Sequence, residues 1–155
     1  MGKSPSRRQK SATRLFAVQA LFQMEALGAD LAGTIKEFED HRFGADLDGE
    51  QFEEGDIDLF RDLVESAISH QARIDQHTDA SLVDRWPIRR IDPTLRAIFR
   101  AAGGELNGSD TPARVIITEY VEIARAFFPE GKEPGLVNGV LDQIIRTHFP
   151  DRLAS

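Results

Sequence analysis

The segment Asp56-Ile-Asp-Leu-Phe60-Arg-Asp-Leu-Val64-Glu-Ser-Ala-Ile68-Ser-His70-Gln-Ala-Arg-Ile74-Asp-Gln-His77 decides the class of the fold. Ile57, Phe60, Leu63, Val64, Ala67, Ile68 and Ile74 recur at spacings of three and four, which places them on one face of a helix. Such a face must be covered by other elements, and the rest of the chain repeats the pattern. Leu95, Ile98, Phe99 and Ala102 form a second stripe, opened by Asp92 as N-cap and Pro93 at the first helical position. Thr111 and Pro112 give the same start signal to a helix carrying Val115, Ile116, Tyr120, Ile123, Ala124 and Phe127. Leu136, Val137, Val140, Leu141, Ile144 and Ile145 make a last helix that stops before Pro150. Shorter helices are expected over 31–41 and 78–84. Strand signals are poor, because the β-branched run Val115 to Thr118 lies inside a helical pattern. The expected fold is all-α, about seven helices packed in bundles, with the acidic, Gly-containing segment 44–55 as one long surface loop.

A chain of 155 residues is the size of one domain. Residues 1–10 read as a basic, flexible arm and 11–150 as a single helical domain. Cysteine is absent, which excludes disulfides, thiolate metal sites and a thiol nucleophile, and agrees with a reducing, cytoplasmic setting. No stretch reaches the roughly 18 apolar residues of a membrane span, and Gln19, Gln23 and Glu25 interrupt the apolar run that follows the basic start, unlike a signal peptide.

The net charge of -7 argues against nucleic acid until it is divided along the chain. Residues 1–24 hold Lys3, Arg7, Arg8, Lys10 and Arg14 and no acid, whereas 25–84 hold 17 acids against four bases. Residues 85–100 carry five arginines against Asp92 alone. Such asymmetry suggests a basic arm on an acidic body. On a wheel for the first helix, Arg7, Lys10 and Arg14 fall within about 60° of one another, on the extension of the stripe containing Leu15, Val18, Leu21 and Phe22. Three charges cannot run on into a core without partners. The first turns are therefore expected to overhang the bundle and present their bases at its edge.

Enzyme signatures are lacking: there is no phosphate loop, nucleophile elbow or His-Glu-x-x-His pair. Asp46 to Glu50 is calcium-like in composition, but Gln51 and Ile57 occupy the positions where a calcium loop needs Gly and Glu. Glu119 and Glu122 lack the Glu-x-x-His partners of a di-iron bundle and read as solvent-facing acids or partners of Arg125. No metal or cofactor is expected. The basic residues suit RNA better: Arg7, Arg8, Lys10 and Arg14 can neutralise phosphates, Gln19 offers an amide reader, and Phe22 offers a stacking ring, although helical spacing alone favours it as a core residue. Arg96 and Arg100, at i and i+4, read as a second exposed basic pair or as ion-pair partners of the acidic block.

Several motifs resemble one family. Arg14-Leu-Phe-Ala17-Val18-Gln19-Ala20-Leu21-Phe22 is similar to the Arg-x-x-Ala-x-Gln-Ala-Leu-Tyr opening of the NusB family of transcription antitermination factors. Phe60-Arg61-Asp62-Leu63, Ile116-Ile-Thr-Glu119-Tyr-Val-Glu122-Ile-Ala124 and Leu136-Val-Asn138-Gly139-Val140-Leu141-Asp142 resemble its later motifs, in the same order and spacing. The resemblance implies two packed helical subdomains, no catalysis, and binding of boxA-type RNA of ribosomal transcripts jointly with the ribosomal protein NusE, within an RNA polymerase antitermination complex. It assigns RNA contact to Arg7, Arg8, Lys10 and Arg14, with Gln19 and Phe22 following by motif position. Lys132, Glu133 and Leu136 are the expected NusE contacts. An accessory domain for protein interaction or RNA methylation, built on the same fold, is the alternative. Phe22 replaces the usual Tyr and Leu136 the usual Phe, and Gly103-Gly104 replaces a residue pair ending in an aromatic and is expected to weaken its helix. Asn138 and Gly139, inside the last helix, are expected to serve packing.

Overall fold

A computed structural model of the chain describes residues 5–41, 43, 46–47, 50–51, 55–82 and 87–154. Among them lie seven α-helices: α1 (Arg7–Leu27), α2 (Leu31–His41), α3 (Ile57–Ser69), α4 (Gln71–Ser81), α5 (Pro93–Gly108), α6 (Ala113–Phe127) and α7 (Glu133–His148). Short 3-10 turns cover Ile88–Arg90 and Pro150–Ala154. The expected surface loop over 44–55 lies mostly outside the described residues; within it, Asp46–Leu47 and Glu50–Gln51 pair as a two-residue antiparallel ribbon. No described helix is long and apolar enough to cross a membrane.

The architecture follows from α5, which is buried from Leu95 to Phe99 and again from Ala101 to Leu106. A helix buried on all its faces, its charges Arg96 and Glu105 included, has to be surrounded. Helices α1 and α3 pack on one side of α5 and α4, α6 and α7 on the other, giving two helical subdomains that share it. Asp92 caps α5 through its Oδ1, which accepts from the Thr94 amide at 2.7 Å, with Pro93 in the first turn as expected. In the first subdomain Phe16, Phe38, Phe43 and Phe60 join α1, α2 and α3, with ring centroids 5.2 to 6.5 Å apart.

Three expectations are corrected. The helix predicted over 56–77 is two helices, broken at His70, whose amide donates to the Ser66 carbonyl at 3.0 Å. The break has a packing cause at Gly103 and Gly104. A Cβ on Gly104 would sit 2.8 Å from the Ala67 amide nitrogen, and one on Gly103 would sit 2.5 Å from Ile74 Cγ2. Helices α3 and α4 both press on α5 at this pair, so the chain turns at His70 to follow it. The glycines are thus close-contact positions inside an unbroken α5, not a weak helix end. The reverse holds at Gly139, where a Cβ would meet nothing; Asn138 and Gly139 are exposed on α7 and fill no packing role.

Residues 7–10, expected in a flexible arm, are the first turn of α1. A capping box starts it: the Ser6 hydroxyl accepts from the Gln9 amide at 3.1 Å, and the Gln9 side chain accepts from the Ser6 amide at 2.8 Å. Gly28, at φ 66°, ends the helix in the left-handed conformation that glycine tolerates. The buried Thr13 hydroxyl accepts from the Asp56 amide at 2.8 Å, tying the start of α3 to α1.

Candidate nucleic-acid interface

The basic face of α1 divides within one turn. Arg14 is 4% exposed, not presented at an edge. Its Nε and Nη2 donate to the two oxygens of Glu105 at 2.9 and 2.7 Å, a bidentate pair, and its Nη1 donates to Glu119 at 3.0 Å. The Tyr120 hydroxyl donates to Glu105 at 2.8 Å and the Ser11 hydroxyl to Glu119 at 2.8 Å, so α1, α5 and α6 are stitched by one polar cluster. Burial pushes the Glu105 carboxyl up, but hydrogen bonding and charge from Arg14 outweigh it and hold the carboxyl below its ordinary value. Burial, then the Glu105 charge, push the Tyr120 phenol well above its ordinary value, so it stays a donor. Ion pairing of this kind was the missing condition in the wheel reading: a charge continues into the core when the facing helices supply carboxylates. Glu119, expected at the solvent or on Arg125, belongs to this cluster, while Glu122 pairs with Arg125.

One turn earlier the bases are exposed. Arg7 and Lys10 line a cleft of about 680 Å³ together with Arg114 of α6, and Thr118 and Ser109 add hydroxyls to its wall. None of Arg7, Lys10 and Arg114 forms an ion pair among the described residues, in contrast with Arg14, Arg61, Arg96, Arg100, Arg125 and Arg146. Arg8 is exposed on the same turn of α1. Three unpaired cations on a concave surface raise the local concentration of anions and suit a phosphate chain.

Two turns further along α1, Phe22 is 40% exposed, Leu27 72% and Phe127 of α6 43%. With Val18, Gln19 and Thr94 they line a second hollow of about 430 Å³. Phe22 is therefore a surface ring and not core. Gln19 is half-buried, with its Oε1 buried and without a hydrogen-bond partner among the described residues.

The second basic pair is not a surface for ligands. Arg96 is 8% exposed and donates to Glu25 and to the Ile88 carbonyl, and Arg100 bridges Glu25 and Asp75 at 3.0 and 2.8 Å. Of the expected partner contacts, Lys132 is exposed, Glu133 opens α7 half-buried, and Leu136 packs partly against the core. Among the described residues no group of three or more His, Cys, Asp or Glu is placed to hold a metal ion.

Arg114 and Phe127 escaped the sequence reading, yet a signal for them existed. Lys10, Arg14, Val18 and Phe22 form one i+4 row of α1, and Val115, Glu119, Ile123 and Phe127 form one i+4 row of α6. The cleft, the Arg14–Glu119 pair and the second hollow match these rows in order, so the two rows run in the same direction. An acid on one row opposite a base on the other was the available clue.

The sequence pattern of the NusB family matches residues 11–146. The transcription antitermination protein NusB of Maricaulis maris is 47% identical over 145 residues, covering 93% of this chain and 90% of its own length. That of Caulobacter vibrioides is 48% identical over 138 residues, covering 88% of this chain and 92% of its own length. Among solved structures, Thermotoga maritima NusB superposes with a TM-score of 0.77 at 25% identity, covering 99% of this chain and 100% of that one. In the solved complex of antitermination factors NusB and NusE with dsRNA, the matching chain has a TM-score of 0.74 at 23% identity, covering 92% of this chain and 100% of that one, a likeness of fold.

Proposed function

The chain belongs to the NusB family, and from that premise we propose that it is a transcription antitermination factor that acts by binding RNA jointly with a NusE subunit, without catalysis. Its RNA is a boxA-type segment of ribosomal transcripts, and its place is the cytoplasm beside RNA polymerase. The solved complex of NusB and NusE with dsRNA supports the pairing of partners. The observation within this chain that carries the reading is the convergence of unpaired Arg7, Lys10 and Arg114 on one cleft. Arg7, Arg8 and Lys10 supply charge to the RNA backbone, and Gln19 and Phe22 meet bases. Arg14 holds α1 on the body and is a positioning residue. The acidic remainder of the surface repels RNA elsewhere and attracts a basic ribosomal protein, with Lys132, Glu133 and Leu136 at the contact.

A titration of boxA RNA and a scrambled RNA at two salt concentrations, with and without NusE, tests this reading. The expected result is preferential binding of boxA RNA in the presence of NusE, weakening as salt rises. Equal weak binding to both RNAs with NusE present overturns it.

A further inference from the structure

We propose that α6 forms the second wall of the RNA groove, with Arg114 gripping the phosphate chain at one end and Phe127 stacking on an unpaired base at the other. The inference rests on the RNA-binding reading above and adds a second helix to it. Its geometric basis is the register of two i+4 rows. Lys10 of α1 and Val115 of α6 flank the basic cleft, Arg14 meets Glu119 at 3.0 Å, and Phe22 and Phe127 flank the apolar hollow. The cleft and the hollow thus lie at the two ends of one seam between α1 and α6, closed in its middle by buried Arg14, Val18 and Ile123, with Thr94 of α5 lining the hollow and Ser109, which caps α5, lining the cleft. Twelve residues separate Lys10 from Phe22 along the row, a length of about 18 Å at the rise of an α-helix.

The chemistry of the two ends names the occupant. At the first end Arg7, Lys10 and Arg114 are exposed and without ion-pair partners among the described residues, which calls for a chain of negative charge. At the second end two phenyl rings are 40% and 43% exposed, which calls for flat apolar faces. Single-stranded RNA offers both along one chain, phosphates and unstacked bases, whereas a duplex hides its base faces. Between the ends, Arg14 is held by both Glu105 and Glu119, so the middle carries two carboxylates against one guanidinium and the grip on the strand lies at the two ends. The buried Oε1 of Gln19, without a hydrogen-bond partner among the described residues, borders the aromatic end.

The test compares Arg114→Gln, Phe127→Ala and Phe127→Trp with Arg7→Gln, in complex with NusE, by fluorescence anisotropy on single-stranded boxA RNA at several salt concentrations. Both α6 positions are exposed, so thermal melting is expected to match the parent. Arg114→Gln is expected to weaken binding and flatten the log–log salt slope by about 0.7. Phe127→Ala is expected to weaken binding about tenfold with the slope unchanged, and Phe127→Trp to keep it. If Arg7→Gln weakens binding while either α6 loss fails to appear, the two-ended groove is wrong and the functional reading stands. If the parent complex itself binds boxA and scrambled RNA equally weakly, the functional reading falls with it. A Phe127→Ala variant that loses NusE and keeps RNA gives the aromatic end to the protein partner and overturns the proposal.

Discussion

Lys10 and Arg14 sit four residues apart on one row of α1, and they live in opposite environments. Lys10 is exposed and unpaired in a cleft with Arg7 and Arg114, whereas Arg14 is buried and held by Glu105 and Glu119. Helix row and sign of charge are the same, so neither decides the role of the charge. The difference comes from α5 and α6, whose carboxylates Glu105 and Glu119 are taken up by Arg14, while Lys10 shares the cleft with a further arginine and forms no ion pair among the described residues. One helix therefore carries both a structural cation and a set of ligand-binding cations, and the boundary between them is a single turn wide.

The largest effect should come from breaking the buried end. Arg14→Ala leaves Glu105 in the core without its cation, with the Tyr120 and Thr111 side chains as remaining partners, and truncating one partner of a buried pair costs about 3–5 kcal/mol. Urea or thermal unfolding is expected to show that loss, with RNA affinity falling because α1 is no longer held against α5 and α6. Replacing both charges at once, as Arg14→Met with Glu105→Leu, should recover much of the stability, since the unpaired charge is then absent. A parent-like melting curve for Arg14→Ala would erase the distinction between the two turns.

Acid should separate the two ends more gently. Glu105 is held below its ordinary value of 4.5, where burial pushes it up and Arg14 outweighs the push. Glu25, hydrogen-bonded by Arg96 and partly opposed by burial, is held low as well. Both carboxyls bind protons more readily in the unfolded chain than in the folded one, so their contribution is complete above the unfolded value and is lost as pH falls through the folded values. Melting temperature is expected to be level near neutral pH and to drop below about pH 4.5. A profile that stays level down to pH 3 would mean that Arg14 does not stabilise the Glu105 carboxylate.

Much of this architecture was legible in the chain because apolar spacing reports directly on burial. The range 31–41, the Asp92–Pro93 start of α5 and the α6 and α7 stripes all match. What was not legible depends on pairs of helices. Periodicity runs unbroken through His70, since Ile74 continues the stripe of Phe60 and Val64; the turn there exists because Ala67 and Ile74 meet Gly104 and Gly103 of another helix. Arg14 was misplaced for the same reason: a wheel drawn for α1 alone cannot include Glu105, 91 residues away. Arg7 and Lys10 are legible as exposed residues because exposure at a helix start needs no partner, whereas the spacing that favours Phe22 as core cannot show that no element covers it.

The smallest effect is the one that most sharpens the contrast. Lys10→Gln removes a cation that has no ion-pair partner among the described residues and that faces Arg7 and Arg114 across the cleft. Nothing that holds the fold together is lost, and one like-charge repulsion is relieved. Stability is therefore expected to stay within about 0.5 kcal/mol of the parent, the range of ordinary surface changes, and to shift upward if it shifts at all. The sign can be checked by salt. Exposed charges are screened over about 10 Å at 0.1 M ionic strength, so any gain seen in dilute buffer should fade as salt is added. A loss above 1 kcal/mol would show that Lys10, like Arg14, is held by the body. A gain that fades with salt would show that folding alone would be better served without this cation, which leaves the anion it faces as the reason for its place.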